Sequence, residues 1–459
     1  MRINNHYARS AAIIAIAAAA CTDPKQTLLD APINTIIDTS AASSAAGADA
    51  LRIGALSRLR QITAGSGAGD SPWMFAGLIT DEWKSSDTFS QRNETDQRQV
   101  QDNNANWTPI VRDLYRARTS AREAINALVA FPPTPVPTNY SSNVGQMYMV
   151  MATAELYIAE WICNGAPISE EANPPQATNA DIYAVAAAHA DSALSTSTAT
   201  DAFSVSVHNA AAVLKGRILI EQGKFPEAAA VVASVPTTFQ LLATFSLTSG
   251  SNQIWSLNTS AKRWTVGDSF DVTGVIKNSL PFASAKDPRI PVTGTTLGTS
   301  PAGRGFDNST NFIFTTLWAR TDPTPIWSGV DARLIEAEAK LNANDFAGMM
   351  SIMNTLRINP QNLGAINTGG MSTLPTPATK ADAVNLFFRE KAFWTFSRGQ
   401  RLGDLRRLIR VYGRAADGSD TFPAGTFFKG GTYGTDVNFP MTVDETNNPN
   451  YTKCLDRKA

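Results

Sequence analysis

Along most of this chain the apolar positions recur at the three- and four-residue spacing of amphipathic helices. From Ala48, residues Leu51, Ala55, Leu59 and Ile62 mark one stripe, which the glycine-rich run 65–69 ends. Those glycines follow a helix rather than a strand, so they are not a dinucleotide-binding loop. Ile110, Leu114, Ala117, Ala121, Ile125 and Leu128 form a second stripe. Thr108 as cap and Pro109 as first helical residue predict its start, and the proline run from Pro132 predicts its end. Arg112, Arg116, Arg118 and Arg122 lie off this stripe and are expected in water or against carboxylates. Met147, Met151, Ala154, Ile158 and Trp161 predict a third helix with methionine as core filler. Ile182, Ala186, His189 and Ala193 predict a fourth, in which His189 reads as structural because no second His or Cys lies nearby.

A finer pattern appears twice. In 211–235, Gly216, Gly223 and Phe225 follow one another at the spacing that Ala337, Asn344 and Phe346 repeat further on. A small residue lets two antiparallel helices approach, Gly or Asn supplies a left-handed turn, and Phe fills the gap. This is the grammar of tetratricopeptide helix pairs, which bury their apolar faces by stacking on neighbours. Between the copies lies 236–327, rich in Gly, Ser and Thr and punctuated by proline. Its short apolar runs Gln253–Leu257 and Phe312–Trp318 read as strands. The segment 359–379 reads as a loop and 411–459 as a tail without clear helices. Val384–Arg410, dense in aromatics and arginines, reads as a helix that breaks at Gly399 and restarts as a short basic helix.

The remaining segment is the N-terminus. Arg2 and Arg9 precede the apolar run Ala11–Ala20, which is too short to span a bilayer, and Cys21 follows directly. A charged head, a short apolar run and small residues describe a secretory signal. The cysteine at the cut resembles a lipoprotein signal, with Ala18 where such signals carry leucine, so Cys21 is the expected lipidation site and 1–20 the signal peptide. Residues 21–38 then form a polar tether and 39–459 a single domain. Loss of 1–20 leaves 37 basic residues against 40 acidic ones. That near-balance argues against nucleic acid as a partner.

The motif residues Glu390, Lys391, Gly399, Arg401, Asp404 and Leu405 resemble the C-terminal signature of the SusD/RagB family, with Arg398 and Leu402 departing from it. The pair Arg333–Arg357, the closing Phe439-Pro440-Met441 with Glu445 and Asn448-Pro449, and the lipoprotein start resemble the same family. The resemblance covers most of the chain from about residue 40 and is strongest over 330–450. It implies a mainly α fold of tetratricopeptide-like helix pairs with an irregular, partly β, loop-rich insertion at 236–327. It also implies a lipid-anchored outer-membrane protein that captures oligosaccharides, or peptides, for a SusC-type TonB-dependent transporter.

No catalytic constellation, cofactor motif or metal-ligand spacing is present; the carboxylate neighbours Asp81-Glu82 and Glu170-Glu171 read as surface or capping groups. The expected function is therefore binding, with a glycan-degrading enzyme and a tetratricopeptide-type envelope scaffold as alternatives. Sugar rings stack on exposed aromatics, so Trp83, Trp107, Trp264 and Trp318, in polar loop-like surroundings, are the candidate platforms. Cys163 and Cys454 remain after lipidation; they read either as a disulfide pinning the tail or as two free buried thiols. The arginine cluster from Arg398 to Arg414 is expected to be ion-paired, for instance Arg401 with Asp404, Glu336 or Glu338.

Overall fold

In the computed structural model, which describes residues 43–66, 69–268, 280–293, 303–364, 366–417 and 421–459, the apolar stripes become packed helices. Cys21, the signal and the tether lie outside the described residues. Helix α1 (Ala45–Gln61) starts at Ser44, whose hydroxyl accepts from the Gly47 N–H. Next come α2 (Pro72–Leu78), β1 (Trp83–Ser85), α3 (Ser90–Asp96) and α4 (Trp107–Ala130). The start of α4 differs from expectation. The Asn104 side chain accepts from the N–H groups of Asn106 and Trp107, both at 2.9 Å, which fixes the first turn ahead of Thr108. The α4 arginines are paired: Arg112 with Asp444, Arg116 with Asp113, Arg118 with Glu155 and Glu170, and Arg122 with Glu170.

The array continues through α5 (Ser141–Trp161), α6 (Asn179–Thr196), α7 (Ala202–Glu221) and α8 (Phe225–Val232), each packed on the one before. Helix α5 is buried almost all round: its apolar and small residues pack on every side, and its buried Glu155 and Glu160 are paired with Arg118 and Arg217. On α6, His189 Nδ1 lies 2.7 Å from Glu155 Oε2 and its ring stacks on Tyr148, a structural role.

The insertion then emerges as β2 (Gln240–Ala243), α9 (Gln253–Trp255), β3 (Trp264–Val266), β4 (Val292–Thr293), β5 (Phe314–Thr315) and β6 (Thr324–Ser328). The run Gln253–Leu257, read as a strand, is helical: α9 passes into a wider turn over Ser256–Ser260. Asn252 caps it by accepting from the Ile254 N–H at 3.0 Å, and five apolar residues carry too little period to exclude a helix. β1 pairs antiparallel with β3, β4 with β5, and β2 with β6. The β2–β6 pair closes the insertion at its base, so α8 packs directly on α10 (Gly329–Asn342), which pairs with α11 (Phe346–Ile358). The array is interrupted in sequence but continuous in space. At the junction of α7, α8 and α10 a Cβ on Gly216 would fall 2.6 Å from Val232 and 3.1 Å from Ile335. Gly223 and Asn344 both turn with positive φ, as the paired pattern predicts.

After the hairpin β7 (Asn362–Leu363) and β8 (Ile366–Asn367), α12 (Lys380–Trp394) and α13 (Arg401–Arg410) close the array. Between them Gly399 has φ +66°, and a Cβ there would sit 2.3 Å from Trp73 Cδ1. The buried Arg407 guanidinium reaches Glu338 at 2.5 and 2.9 Å, Asp404 at 2.7 Å, and Glu221. Lys391 meets Asp404 at 2.6 Å and Arg410 meets Glu221 at 2.6 Å. Three cations and three carboxylates thus join α7, α10, α12 and α13. The pairing expected of Arg401 belongs instead to Arg407. Glu336 is taken by Arg333, and Arg401 lies over the Phe282 ring, because α13 turns position 407 towards α10. Arg398 clamps Asp331 at 2.5 Å and the Pro325 and Ile326 carbonyls.

Burial alone would push the Asp404 and Glu221 carboxyls up, but the surrounding cations outweigh it and hold both below their ordinary values. Cys163 and Cys454 form a disulfide, and Leu455 N–H donates to the Asn164 carbonyl at 2.7 Å, so the tail is tied to the end of α5. Among the described residues no helix is long and apolar enough to cross a membrane.

Candidate ligand-binding site

The four tryptophans read as platforms are packed inside. Trp83, Trp107 and Trp264 have no exposed surface and Trp318 has 2%. The Trp83 indole donates to Ser397 Oγ at 3.0 Å and its ring meets Phe396. Trp107 stacks on Phe439 at 4.1 Å and donates to the Pro440 carbonyl. Trp264 packs on Phe75, with the Arg92 guanidinium 5.8 Å from its ring. None of these rings can offer a face to a ligand. A large aromatic in a segment with little regular structure is the main apolar area that segment has, so it is drawn into the core.

Two phenylalanines stand where the tryptophans were expected. Phe89 and Phe306 are each 45% exposed. Phe89 precedes the first turn of α3, and Phe306 lies on the loop that returns to β5. Strand pairing brings the two loops together. Ser86 N–H donates to the Arg263 carbonyl at 3.0 Å, Phe306 N–H to the Lys262 carbonyl at 2.8 Å, and Asp307 N–H to the Ser86 carbonyl at 3.0 Å. Between the rings lies Arg263, its guanidinium 3.8 Å from the centre of Phe306 and 4.9 Å from that of Phe89.

Beside this stack opens a cleft of about 510 Å³ lined by Asp87, Asn93, Asp307, Ser309, Thr310, Phe428 and Lys429. Asp307 shapes its own loop, accepting from the Ser309 and Thr310 N–H groups at 2.9 Å and from Thr310 Oγ1 at 2.6 Å. The tail supplies Lys429, which lies 2.7 Å from Asp307 and also donates to the Asp87 carbonyl and to Asn93. Burial pushes the Asp307 carboxyl up, but Lys429 and the Thr310 and Ser309 donors outweigh it and bring it down to about 2. Asp87 is likewise held low, its burial outweighed by Arg263 and Arg92. Both carboxylates stay ionised and serve as charge partners. Among the described residues no group of three or more His, Cys, Asp or Glu could hold a metal ion.

No family model matches the sequence, and no curated protein matches it. Solved structures do. A SusD-like protein from Bacteroides fragilis superposes with a TM-score of 0.66 at 12% identity over 93% of this chain and all of that one. A SusD superfamily protein from Bacteroides vulgatus gives 0.63 at 15% identity over 90% of this chain and 99% of its own. The chain has the SusD fold. A further SusD-fold protein, described as SusD-like carbohydrate binding, comes from B. fragilis and gives 0.61 at 12% identity, covering 90% of this chain and 99% of that one.

On this SusD fold the motif residues are structural. Glu390 accepts from Arg289 at 2.8 Å and Arg357 at 2.7 Å, Lys391 holds Asp404, and Gly399 makes room for Trp73. The exposed pair was missed, yet it carries a sequence signal: neither Phe89 nor Phe306 has an apolar residue within three positions on either side. Each of the four tryptophans has a Val, Ile, Leu or Phe within four.

Proposed function

We propose that this protein is a lipid-anchored binding subunit at the outer surface of an outer membrane. It captures oligosaccharides and passes them, without catalysis, to a SusC-type TonB-dependent transporter. The observation that carries this is the pair of exposed ring faces, Phe89 and Phe306, set beside a polar cleft on a SusD fold. The apolar C–H face of a sugar ring packs on an aromatic face, and donors at the edge of the stack read its hydroxyls. Both contacts of Arg263 to Asp87 run through Nη1, which leaves its other N–H groups for hydroxyls. The carbohydrate binding ascribed to the B. fragilis structure of the same fold agrees with this reading. A glycosidase needs one carboxyl kept protonated as general acid, whereas Asp87 and Asp307 are both held low, which favours binding over hydrolysis.

Calorimetry of the purified protein against oligosaccharides, with product analysis by chromatography, tests the reading. Binding without turnover supports it; sugar release in proportion to enzyme would replace it with the degradative alternative. Pull-down of a large TonB-dependent barrel from membranes tests the transporter partnership. Cell fractionation of Cys21→Ser tests the anchor, which requires that the variant leave the membrane.

A further inference from the structure

We propose that the cleft selects uncharged sugar rings over acidic or amino sugars, an inference that rests on the glycan-binding reading of the same site. Each charge that lines the cleft already has its partner. The Lys429 ammonium has three N–H groups and three acceptors: the Asp87 carbonyl at 2.8 Å, Asn93 Oδ1 at 2.9 Å and Asp307 Oδ2 at 2.7 Å. Arg263 gives its Nη1 to both Asp87 oxygens, at 2.8 and 3.0 Å, while its guanidinium lies over both phenylalanine rings. Arg92 is buried between Asp70 and Asp87. The carboxylates are equally occupied. Asp307 accepts from Lys429, Thr310 and Ser309, and Asp87 from both arginines and the Thr88 N–H at 2.7 Å.

Three cations therefore stand against the three carboxylates Asp70, Asp87 and Asp307, each already matched. A uronate or an amino sugar entering the cleft would shed water from its charge and meet no unmatched opposite charge. An uncharged ring sheds only hydroxyl water, which the free edge of Arg263 and the exposed Ser309 can replace, and gains the two ring faces.

The test is calorimetry of the full-length protein with cello-, xylo-, manno- and malto-hexaose, with hexagalacturonate and with the chitosan hexamer. We expect an uncharged hexaose to bind at least about tenfold more tightly than either charged one, with little change between about 50 and 500 mM salt. Tightest binding by hexagalacturonate or the chitosan hexamer, or strong salt dependence, overturns the charge inference and leaves the glycan reading standing. Binding of none of the six overturns both. Two variants move the balance in opposite directions: Lys429→Met leaves one surplus negative charge and Asp307→Asn one surplus positive. The first should shift relative affinity towards the chitosan hexamer by roughly tenfold and the second towards hexagalacturonate by a similar factor. A shift in the same direction for both, or in neither, contradicts the inference, whatever the variants do to overall affinity.

Discussion

Two clusters of arginine, carboxylate and aromatic side chains occupy this molecule and do opposite things. Around Arg407 the ions are buried between four helices, and the aromatic neighbour, Phe388, is buried with them. Around Arg263 the ions join four stretches of chain, and the aromatic rings face water. The chemical vocabulary is the same; the surroundings differ. In the first, ions removed from water must be matched by near-ideal partners, so the cluster fixes how helices assemble. In the second, ion pairing gathers the loops while Phe89 and Phe306 stay uncovered, which makes a surface for a ligand. Charge and aromatic content alone do not separate a keystone from a binding site. Enclosure does.

The contrast can be broken from either side, and the largest effect is expected at the keystone. Arg407→Met leaves Glu221, Glu338 and Asp404 buried without their central partner, and should cost roughly 3–5 kcal/mol in urea unfolding. A loss under 1 kcal/mol would mean that water reaches these carboxylates. Gly399→Ala meets both a positive φ and the Trp73 ring, and should cost roughly 2–4 kcal/mol by the same measurement. An unchanged midpoint would show that the α12–α13 junction can relax. At the other cluster, Phe306→Ala should leave stability within about 0.5 kcal/mol, because the ring is only half-covered, and should weaken oligosaccharide binding roughly tenfold. Loss of stability with binding intact would make Phe306 a packing residue and end the comparison.

A last effect concerns pH. Glu82, buried beside Ser397 and Arg401, has its carboxyl pushed up to about 8, first by burial; Arg401 and the nearby Ser397 amide only partly offset this, and neither oxygen accepts a hydrogen bond of normal geometry. A folded-state value above the ordinary 4.5 means that the folded state binds the proton more tightly, so stability falls as pH rises from about 4.5 to about 8. Asp404 and Glu221 have the opposite sign, and their contribution disappears as pH falls below the ordinary carboxylate range. Glu82→Gln should flatten the neutral limb of a thermal-stability profile and leave the acid limb unchanged. An unaltered neutral limb would place the titration elsewhere.

Much of the scaffold was legible in the residues. The stripes from Leu51 to Ala193 gave α1 and α4–α6, and the paired pattern around Gly216 and Ala337 gave two helix pairs with their left-handed turns at Gly223 and Asn344. These features are local: period, caps and turn residues act over a few positions. The strand reading of Gln253–Leu257 failed because a five-residue apolar run has no resolvable period, and the Arg401 pairing failed because partner choice depends on helix rotation. The tryptophan platforms failed for a related reason. Polar neighbours in sequence do not keep a ring in water when the fold folds over it.

What the sequence determined by itself, then, is the helical array and the break at Gly399, since each follows from short-range chemistry or residue type; that Cys163 and Cys454, 291 residues apart, meet in a bridge was decided by the tertiary structure. Tertiary structure alone decided that Arg407 is the hub, that the tryptophans are core, and that residues near 89, 263, 306 and 429 meet around one cleft. Those contacts join positions up to 342 residues apart, as between Lys429 and Asp87, and no local pattern encodes which distant loops come together. That choice is made when the array closes and the insertion is pinned at its base by β2 and β6.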